Sequence, residues 1–582
     1  MPPELPLSLT PDAANALASS GGTDGFPLQE TALTGGGGPE FFLNADDRTG
    51  VAANGKLSYT IDQAANQIVR GDPGWSHALG VGATVTYAYR ADAPLNMPDD
   101  AGGFQEFNPA QIAQAELALK AWSDVANIHF IRVGSGFSGA AAYSDSATIL
   151  LGNYTTGVAG AAAFGEFPGS TSATSAAGDV WVNSTLSYNA SPTVGNYGGQ
   201  VLVHELGHAI GLDHPSDYNA AAGVTITYAA DASYYEDSRQ YTVMSYFSEA
   251  NTGGNDGGLY SAAPLMDDIA AAQLEYGPNM ATRTGDTVYG FHATADEPWF
   301  SIASATSRAV FAVWDAGGND TLDFSGYGQS QTIDLRPGFF SSVGGLTGNV
   351  SIAQGADIEN AVGGSGADSI TGNGLDNLIH GGAGADTVMA GAGNDTIDGG
   401  AGASYIRGED GSDSIQGGAN FDDINGMKGD DTIDGGTGGG DWLVGGQGND
   451  LITAHAGGGV LYGNLGNDTL AGSDGADVLL GGQADDLIQA GAGNDYVSGD
   501  RGNDTETGGA GADTFHGIQQ MGIDRVLDFH LAEGDRVMLD PGVAYTVTQV
   551  GADTVIDVGG GNEMILVGVQ TSTLTPGWIF NG

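Results

Sequence analysis

The sequence predicts an α+β domain followed by an all-β parallel roll with a β-rich cap, and three observations predict it. Helical periodicity and short apolar runs alternate between residues 55 and 280. A nine-residue unit of the form GGxGxDxUx, with U a large apolar residue, repeats from 363 to 513. Short alternating segments, DRVLDFH, DRVMLD, YTVTQV, DTVIDV and EMILVGV, close the chain and suit a cap on the exposed end of a stack.

Residues 1 to about 50 are rich in Gly, Ala, Pro and Thr and read as a flexible leader. SYTIDQAANQIVR (58–70) carries a helical period. FNPAQIAQAELALKAWSDVA (107–126) places Asn108 as N-cap and Pro109 at the first helical position, where a missing N–H costs nothing. SATILLG (146–152) and GDVWVNS (178–184) read as strands. GQVLVHELGHAIGL (199–212) and APLMDDIAAAQLEYGP (263–278) read as helices, the second ended by Gly277-Pro278. The expected organisation is a leader (1–50), an α+β domain (51–280), a junction (281–362), the repeats (363–515) and a cap (516–582).

The chain has 582 residues, 100 of them glycine, no cysteine, and a formal net charge of −56. Such an excess of carboxylates repels itself unless cations offset it, which argues against nucleic acid and anionic membranes and for divalent metal. Without cysteine there is neither a disulfide framework nor thiolate-bound zinc. No basic stretch followed by an apolar one marks an ordinary secretory signal, and no apolar run approaches the ~18 residues of a membrane helix.

Seventeen repeats occur, with one residue inserted at GGTGGGDW. Their acidic position is Asp368, Asp386, Asp395, Asp413, Asp422, Asp431, Asp441, Asp450, Asp468, Asp477, Asp486, Asp495, Asp504 and Asp513, with Asn377, Ser404 and Gly459 as exceptions. Two residues on, the position is Ile, Val, Leu or Phe in every repeat but one, which has Glu506. The two positions have separable jobs: the apolar one fills a coil and the acidic one binds calcium outside it. Two units close one coil, so Ser404 and Gly459 fall on the same edge, and the opposite edge runs unbroken from Asp395 to Asp504. Calcium is expected to be continuous on the unbroken edge and interrupted on the other. Extracellular calcium modules work at roughly 10⁻⁴–10⁻³ M, so folding of the roll is expected to await export.

HELGHAIGLDH (204–214) brings three of the ten histidines into eleven residues. On a helix His204 and His208 share a face, and Glu205 is offset to reach water without ligating the metal. Gly211 lets the helix stop so that His214 can supply a third zinc ligand, leaving one position open, the catalytic arrangement. Downstream, YTVMSYFS (241–248) contains Met244.

This extended histidine motif and methionine turn resemble the metzincin metallopeptidases. HPSDYNA (214–220), YYEDSRQYTVMSY (234–246), TRTGDTVYGF (282–291) and WDAGGNDTLDFSGY (314–327) narrow the resemblance to the serralysins. It implies a metzincin-type protease domain with one catalytic Zn²⁺ and several structural Ca²⁺, hydrolysing peptide bonds in protein substrates. Met244 would lie under the metal, and Tyr246 would be an extra zinc ligand that stabilises the transition state. Early calcium ligands would be Arg283, Gly285 and Thr287, mainly through backbone, with Asp315, Gly317 and Asp320. The resemblance further implies a monomer released as a zymogen by a Gram-negative type I secretion apparatus through a C-terminal signal. Two departures stand out. The repeat array is longer than usual, which suggests attachment at a cell-surface layer, and AAAFGEFPG (161–169) differs from the family's substrate edge. The competing expectation is a non-enzymatic secreted calcium-binding scaffold or adhesin with an inactive protease-like domain. Retention of Glu205 beside all three histidines argues against it.

Overall fold

The computed structural model describes residues 42–70, 74–97, 101–157, 161–172, 175–218 and 225–582. They belong to two compact units, Glu40–Arg407 and Gly408–Gly582.

In chain order the first unit contains α1 (Ile61–Val69), β1 (Ala83–Tyr89), α2 (Pro109–Val125), β2 (Ile128–Arg132), β3 (Ile149–Tyr154), β4 (Ala163–Gly165), β5 (Val180–Asn183), α3 (Tyr197–Ala209) and α4 (Met266–Tyr276). The five strands form one sheet in the order β2-β1-β3-β5-β4. The first four are parallel, and β4 runs antiparallel to β5 at the edge. β3 is buried along its whole length, as a parallel strand covered on both faces should be.

Asn108 caps α2 as its sequence predicts. Its side chain accepts from the amides of Ala110 and Gln111 at 2.9 and 3.0 Å, and Gln111 returns a bond to the Asn108 amide. α2 packs on α3 through Trp122, fully buried, whose indole N–H donates to Val203 O at 3.0 Å. α3 buries every residue after Tyr197, so it carries its polar motif inside the domain. β1 and β2 were not among the strands expected; β2 is short and alternately exposed, with little apolar signal.

Residues 42–50, expected to belong to a flexible leader, are instead anchored to the domain at Phe42 and Arg48. Phe42 joins Ile61, Tyr241, Met266 and Phe340 in one buried cluster. Arg48 has no exposed surface and grips both carboxylate oxygens of Asp267 on α4 at 2.7 and 2.8 Å. The bidentate geometry supplies the partner that a buried guanidinium requires. The remainder of the expected leader, residues 1–41, lies outside the described residues.

The first unit continues into stacked parallel strands. Val288–Gly290, Thr321–Asp323, Asn360–Val362, Leu378–His380 and Thr396–Asp398 make one row, and Thr332–Asp334, Ser369–Thr371 and Thr387–Ala392 another. In the second unit the same construction steps by 18 residues, as in Leu451↔Thr469↔Leu487↔Thr505. Two nonapeptides therefore make one coil, as predicted. The inserted residue is absorbed where Thr432 pairs with Leu451. Ile433, Leu443, Ile452, Leu461, Leu470, Leu479 and Ile488 are all buried in the coil interior. Ile523–Val526 and Arg536–Leu539 extend the two rows, and an antiparallel meander of Thr546–Val550, Asp553–Gly559 and Asn562–Leu566 follows. Among the described residues no helix is long and apolar enough to cross a membrane.

Candidate active site and metal centres

α3 turns His204 and His208 to one side, and the chain reverses at Gly211, whose φ of +108° suits glycine. The Gly211 and Leu212 amides close the helix on His208 O and Gly207 O, each at 2.9 Å. This reversal brings His214 Nε2 to 3.1 Å from His208 Nε2 and 3.3 Å from His204 Nε2. All three rings are buried.

Each remaining ring nitrogen meets a backbone carbonyl. His204 Nδ1 lies 2.8 Å from Val243 O, His208 Nδ1 2.7 Å from Leu212 O, and His214 Nδ1 2.9 Å from Tyr218 O. A carbonyl can only accept, so Nδ1 carries the proton and each Nε2 lone pair points into the shared centre. Burial holds His204 at about 3 and His208 at about 4, and it lowers His214 further with help from the other two rings. Three neutral converging imidazoles are a donor set that fits Zn²⁺.

Glu205 lines the same cleft of about 450 Å³, together with Ala161–Ala163, Tyr188, Tyr197, Arg239 and Tyr246. Burial pushes its carboxyl up to about 8, opposed by an amide bond from Gly165. Gly165 has a steric reason to be glycine. A Cβ there would sit 2.5 Å from Glu205 O, so any larger residue would lift β4 off α3. Met244 is fully buried against α3, and a Cβ on Gly207 would meet its Sδ at 2.5 Å. The Tyr246 ring stands 4.5 Å from His214 and 5.7 Å from His204, centroid to centroid.

The structure adds supporting residues that sequence reasoning missed. Asp268 on α4 accepts from Thr242 Oγ1 at 2.5 Å and from the Val243 amide at 2.7 Å, fixing the segment whose Val243 carbonyl orients His204. Asp237 accepts from Ser216, Tyr218 and Ser245 hydroxyls at 2.6, 2.8 and 2.7 Å, tying the His214 loop to the Tyr246 turn. LMDD and YYED held the signal, carboxylates inside apolar runs, but only the fold shows what they grip.

The junction loops come together as well. The Thr287 amide donates to Asp320 Oδ1 at 2.7 Å, and a Cβ on Gly318 would lie 2.7 Å from the Gly285 carbonyl. Asp315 accepts from the Gly317 amide at 2.9 Å and Tyr289 OH at 2.6 Å. Arg283, at φ +48°, donates to Trp314 O, so its own backbone is held beside these loops. Asp320 Oδ2 is buried without a donor, and burial raises this carboxyl to about 7.

The repeat carboxylates form hydrogen-bonded rows. In the second unit each Asp amide donates to Oδ1 one coil further on: Asp413 to Asp431, Asp431 to Asp450, Asp450 to Asp468, Asp468 to Asp486 and Asp486 to Asp504, at 2.8–2.9 Å. The other row runs Asp422 to Asp441, then Gly459, Asp477, Asp495 and Asp513. In the first unit Asp368 bonds Asp386 and Asn377 bonds Asp395 in the same way. The Tyr405 amide donates to Asp386 O, which puts Ser404 in the Asp368–Asp386 row. Two ligand candidates were missed: Asp524 accepts from Asp504 at 3.2 Å and Asp535 from Asp513 at 3.1 Å, continuing both rows. Their spacings of 20 and 22 residues break the repeat and hid them.

The second oxygens of Asp386, Asp431, Asp450, Asp468, Asp486, Asp495, Asp504 and Asp513 are buried without donors among the described residues. Burial drives Asp431, Asp450, Asp495 and Asp504 up to about 7 and Asp486 to about 8. Stacked hard oxygens short of a positive partner fit Ca²⁺.

Comparison with known proteins agrees with this chemistry. Residues 105–240 match the matrixin peptidase M10 family, 278–415 the peptidase M10 serralysin C terminal, and 407–439, 435–470 and 471–506 the RTX calcium-binding nonapeptide repeat. The metalloprotease AprA of Pseudomonas entomophila is 45% identical over 346 residues, 58% of this chain and 69% of its own length. Serralysin C of Dickeya chrysanthemi is 46% identical over 321 residues, 55% of this chain and 65% of its own. The metallopeptidase AprA of Pseudomonas marginalis is 44% identical over 346 residues, 58% and 70% respectively. A solved extracellular lipase, LipA from Serratia marcescens, aligns at TM-score 0.18 and 18% identity over 39% of this chain and 40% of its own, too little to support any argument. With a histidine centre, rows of cation-seeking carboxylates and these relatives, the chain belongs to the serralysin family and is a calcium-binding zinc metalloprotease.

Proposed function

We propose that one Zn²⁺ is held by His204, His208 and His214, with Tyr246 as an additional ligand, and that Glu205 and Tyr246 carry out peptide-bond hydrolysis on protein substrates. The observation that carries this reading is the convergence of three carbonyl-backed Nε2 atoms beside a buried carboxylate in an open cleft. The metal supplies Lewis acidity, polarising the scissile carbonyl and acidifying water. Glu205 takes a proton from the attacking water and delivers it to the leaving amine. Tyr246 donates its hydroxyl hydrogen to the carbonyl oxygen as charge develops there. The edge position of β4 lets an extended substrate strand pair with it.

Zinc content by mass spectrometry of the wild type and His214→Ala, alongside casein cleavage, tests the assignment. Loss of both metal and activity is expected, and retention of both would end it. Tyr246→Phe is expected to keep its zinc and lose about 10²–10³-fold in kcat. Gly165→Ala is expected to lower kcat/KM by about 10²-fold, because displacing β4 misplaces the substrate.

Calcium is assigned to Arg283, Gly285, Thr287, Asp315, Gly317 and Asp320 and to the repeat aspartates, with Asp524 and Asp535 added. On this reading residues 51–280 are the protease domain, 281–362 the junction, 363–515 the roll and 516–582 the cap and secretion signal. A monomer exported from a Gram-negative cell by a type I apparatus, activated by removal of its leader and retained at the surface by its long roll, accounts for the remaining features.

A further inference from the structure

The cleft that holds Glu205 extends from His204 toward the start of α3, past Val201 and Gln200 to Tyr197. Its β4 wall is three alanines, Ala161–Ala163, which leave the space open to a substrate side chain. Among the described residues that line it, only Glu205 and Arg239 carry a charge. The chain as a whole, at −56, repels acidic groups, and Arg239 reverses that sign where the substrate must lie.

Arg239 is fixed in place with donors to spare. Its Nη1 donates to Tyr246 O at 3.2 Å, and its guanidinium carbon stands 5.3 Å from the centre of the Tyr260 ring. Tyr260 packs on Tyr197 and Tyr197 on Tyr188, with centroids 5.1 and 5.2 Å apart. Two neighbouring acids do little to neutralise it. Glu249 Oε2 is 3.9 Å from Nη2, too far for a hydrogen bond, and accepts instead from Ser248 Oγ at 2.9 Å. Burial and the Glu249 charge push the Asp256 carboxyl up to about 8, so at neutral pH it is largely protonated. A guanidinium has five N–H donors, and a carboxylate is the acceptor it binds best. We propose that Arg239 selects substrates carrying glutamate or aspartate beside the scissile bond, gripping that carboxylate while Tyr188 and Tyr197 pack its stem. This deepens the peptidase reading and rests on it. The competing role, a brace on the Tyr246 turn through its carbonyl, would affect all substrates alike.

The test uses the activated full chain in millimolar calcium, with zinc content measured on every protein. kcat/KM is compared for peptide pairs that differ only by Glu or Gln at each of the two residues flanking the cleaved bond. The wild type is expected to prefer Glu at one of them by about 10–100-fold. Arg239→Gln is expected to abolish that preference, and Arg239→Lys, which keeps the charge, to retain part of it. A zinc-replete Arg239→Gln that loses rate equally on both members of a pair, with the preference intact, overturns the proposal and leaves Arg239 as a brace. If Arg239→Gln does not hold zinc, Arg239→Lys decides: a reduced ratio supports the proposal and an unchanged one overturns it. A wild type that cleaves without preference overturns this proposal alone. A zinc-bound wild type that cleaves no peptide overturns it together with the peptidase reading.

Discussion

Glu205→Ala is expected to lower casein hydrolysis by about 10²–10⁴-fold while leaving zinc content at the wild-type level. The two readouts separate because Glu205 and the histidines have different jobs. The three Nε2 atoms converge without it, and each ring is held by Val243, Leu212 or Tyr218 rather than by Glu205. Removing the carboxylate therefore removes proton transfer and leaves the donor set intact. Measurement in millimolar calcium is essential, since a chelator would strip the carboxylate rows as well as the histidine centre. If the mutant cleaves at the wild-type rate, Glu205 is not the base. If neither protein cleaves with zinc bound and the leader removed, the assignment of peptide-bond hydrolysis to Glu205 and the three histidines fails.

Calcium removal at neutral pH is expected to unfold the repeats, and acid is expected to restore part of their structure. In the folded, metal-free rows burial raises Asp386 and Asp468 from 3.8 to about 6, Asp431 and Asp450 to about 7 and Asp486 to about 8. Between the unfolded and folded values the folded state holds more protons, so its stability falls as pH rises through that window. The contribution is retained in acid and lost by about pH 8. The metal-free histidine centre runs the other way. His204 and His208 are lowered from 6.5 to about 3 and about 4, so the unfolded state holds more protons there and stability is lost as pH falls below 6.5. Hydrogen exchange of full-length protein in chelator resolves the two trends by peptide. Protection of repeat peptides should grow toward acid while that of α3 declines. A roll that is equally protected with and without calcium at neutral pH would contradict this account.

Much of the site could be read from order along the chain. The i, i+4 spacing of His204 and His208 and the glycine at 211 dictate a helix that ends in a reversal, and His214 follows. The eighteen-residue coil, with interior Ile and Leu and outward Asp, is likewise written in the period. Local rules suffice for both, because the partners are neighbours in sequence or identical from coil to coil. Partners far apart in sequence were not legible in that way. Arg48 meets Asp267 across 219 residues, and Asp268 reaches Val243 across 25. Nothing local marks either pair, and residues 42–50 therefore read as leader. Asp524 and Asp535 join the rows only because the cap strands stack on the last coils, after the repeat spacing has been lost. Glu506 shows the division in one residue. Its sequence shows that it breaks the pattern, but only the tertiary structure decided that it is wholly buried between Ile488 and Val526 with the Gly499 amide as a donor, since that placement depends on non-local stacking.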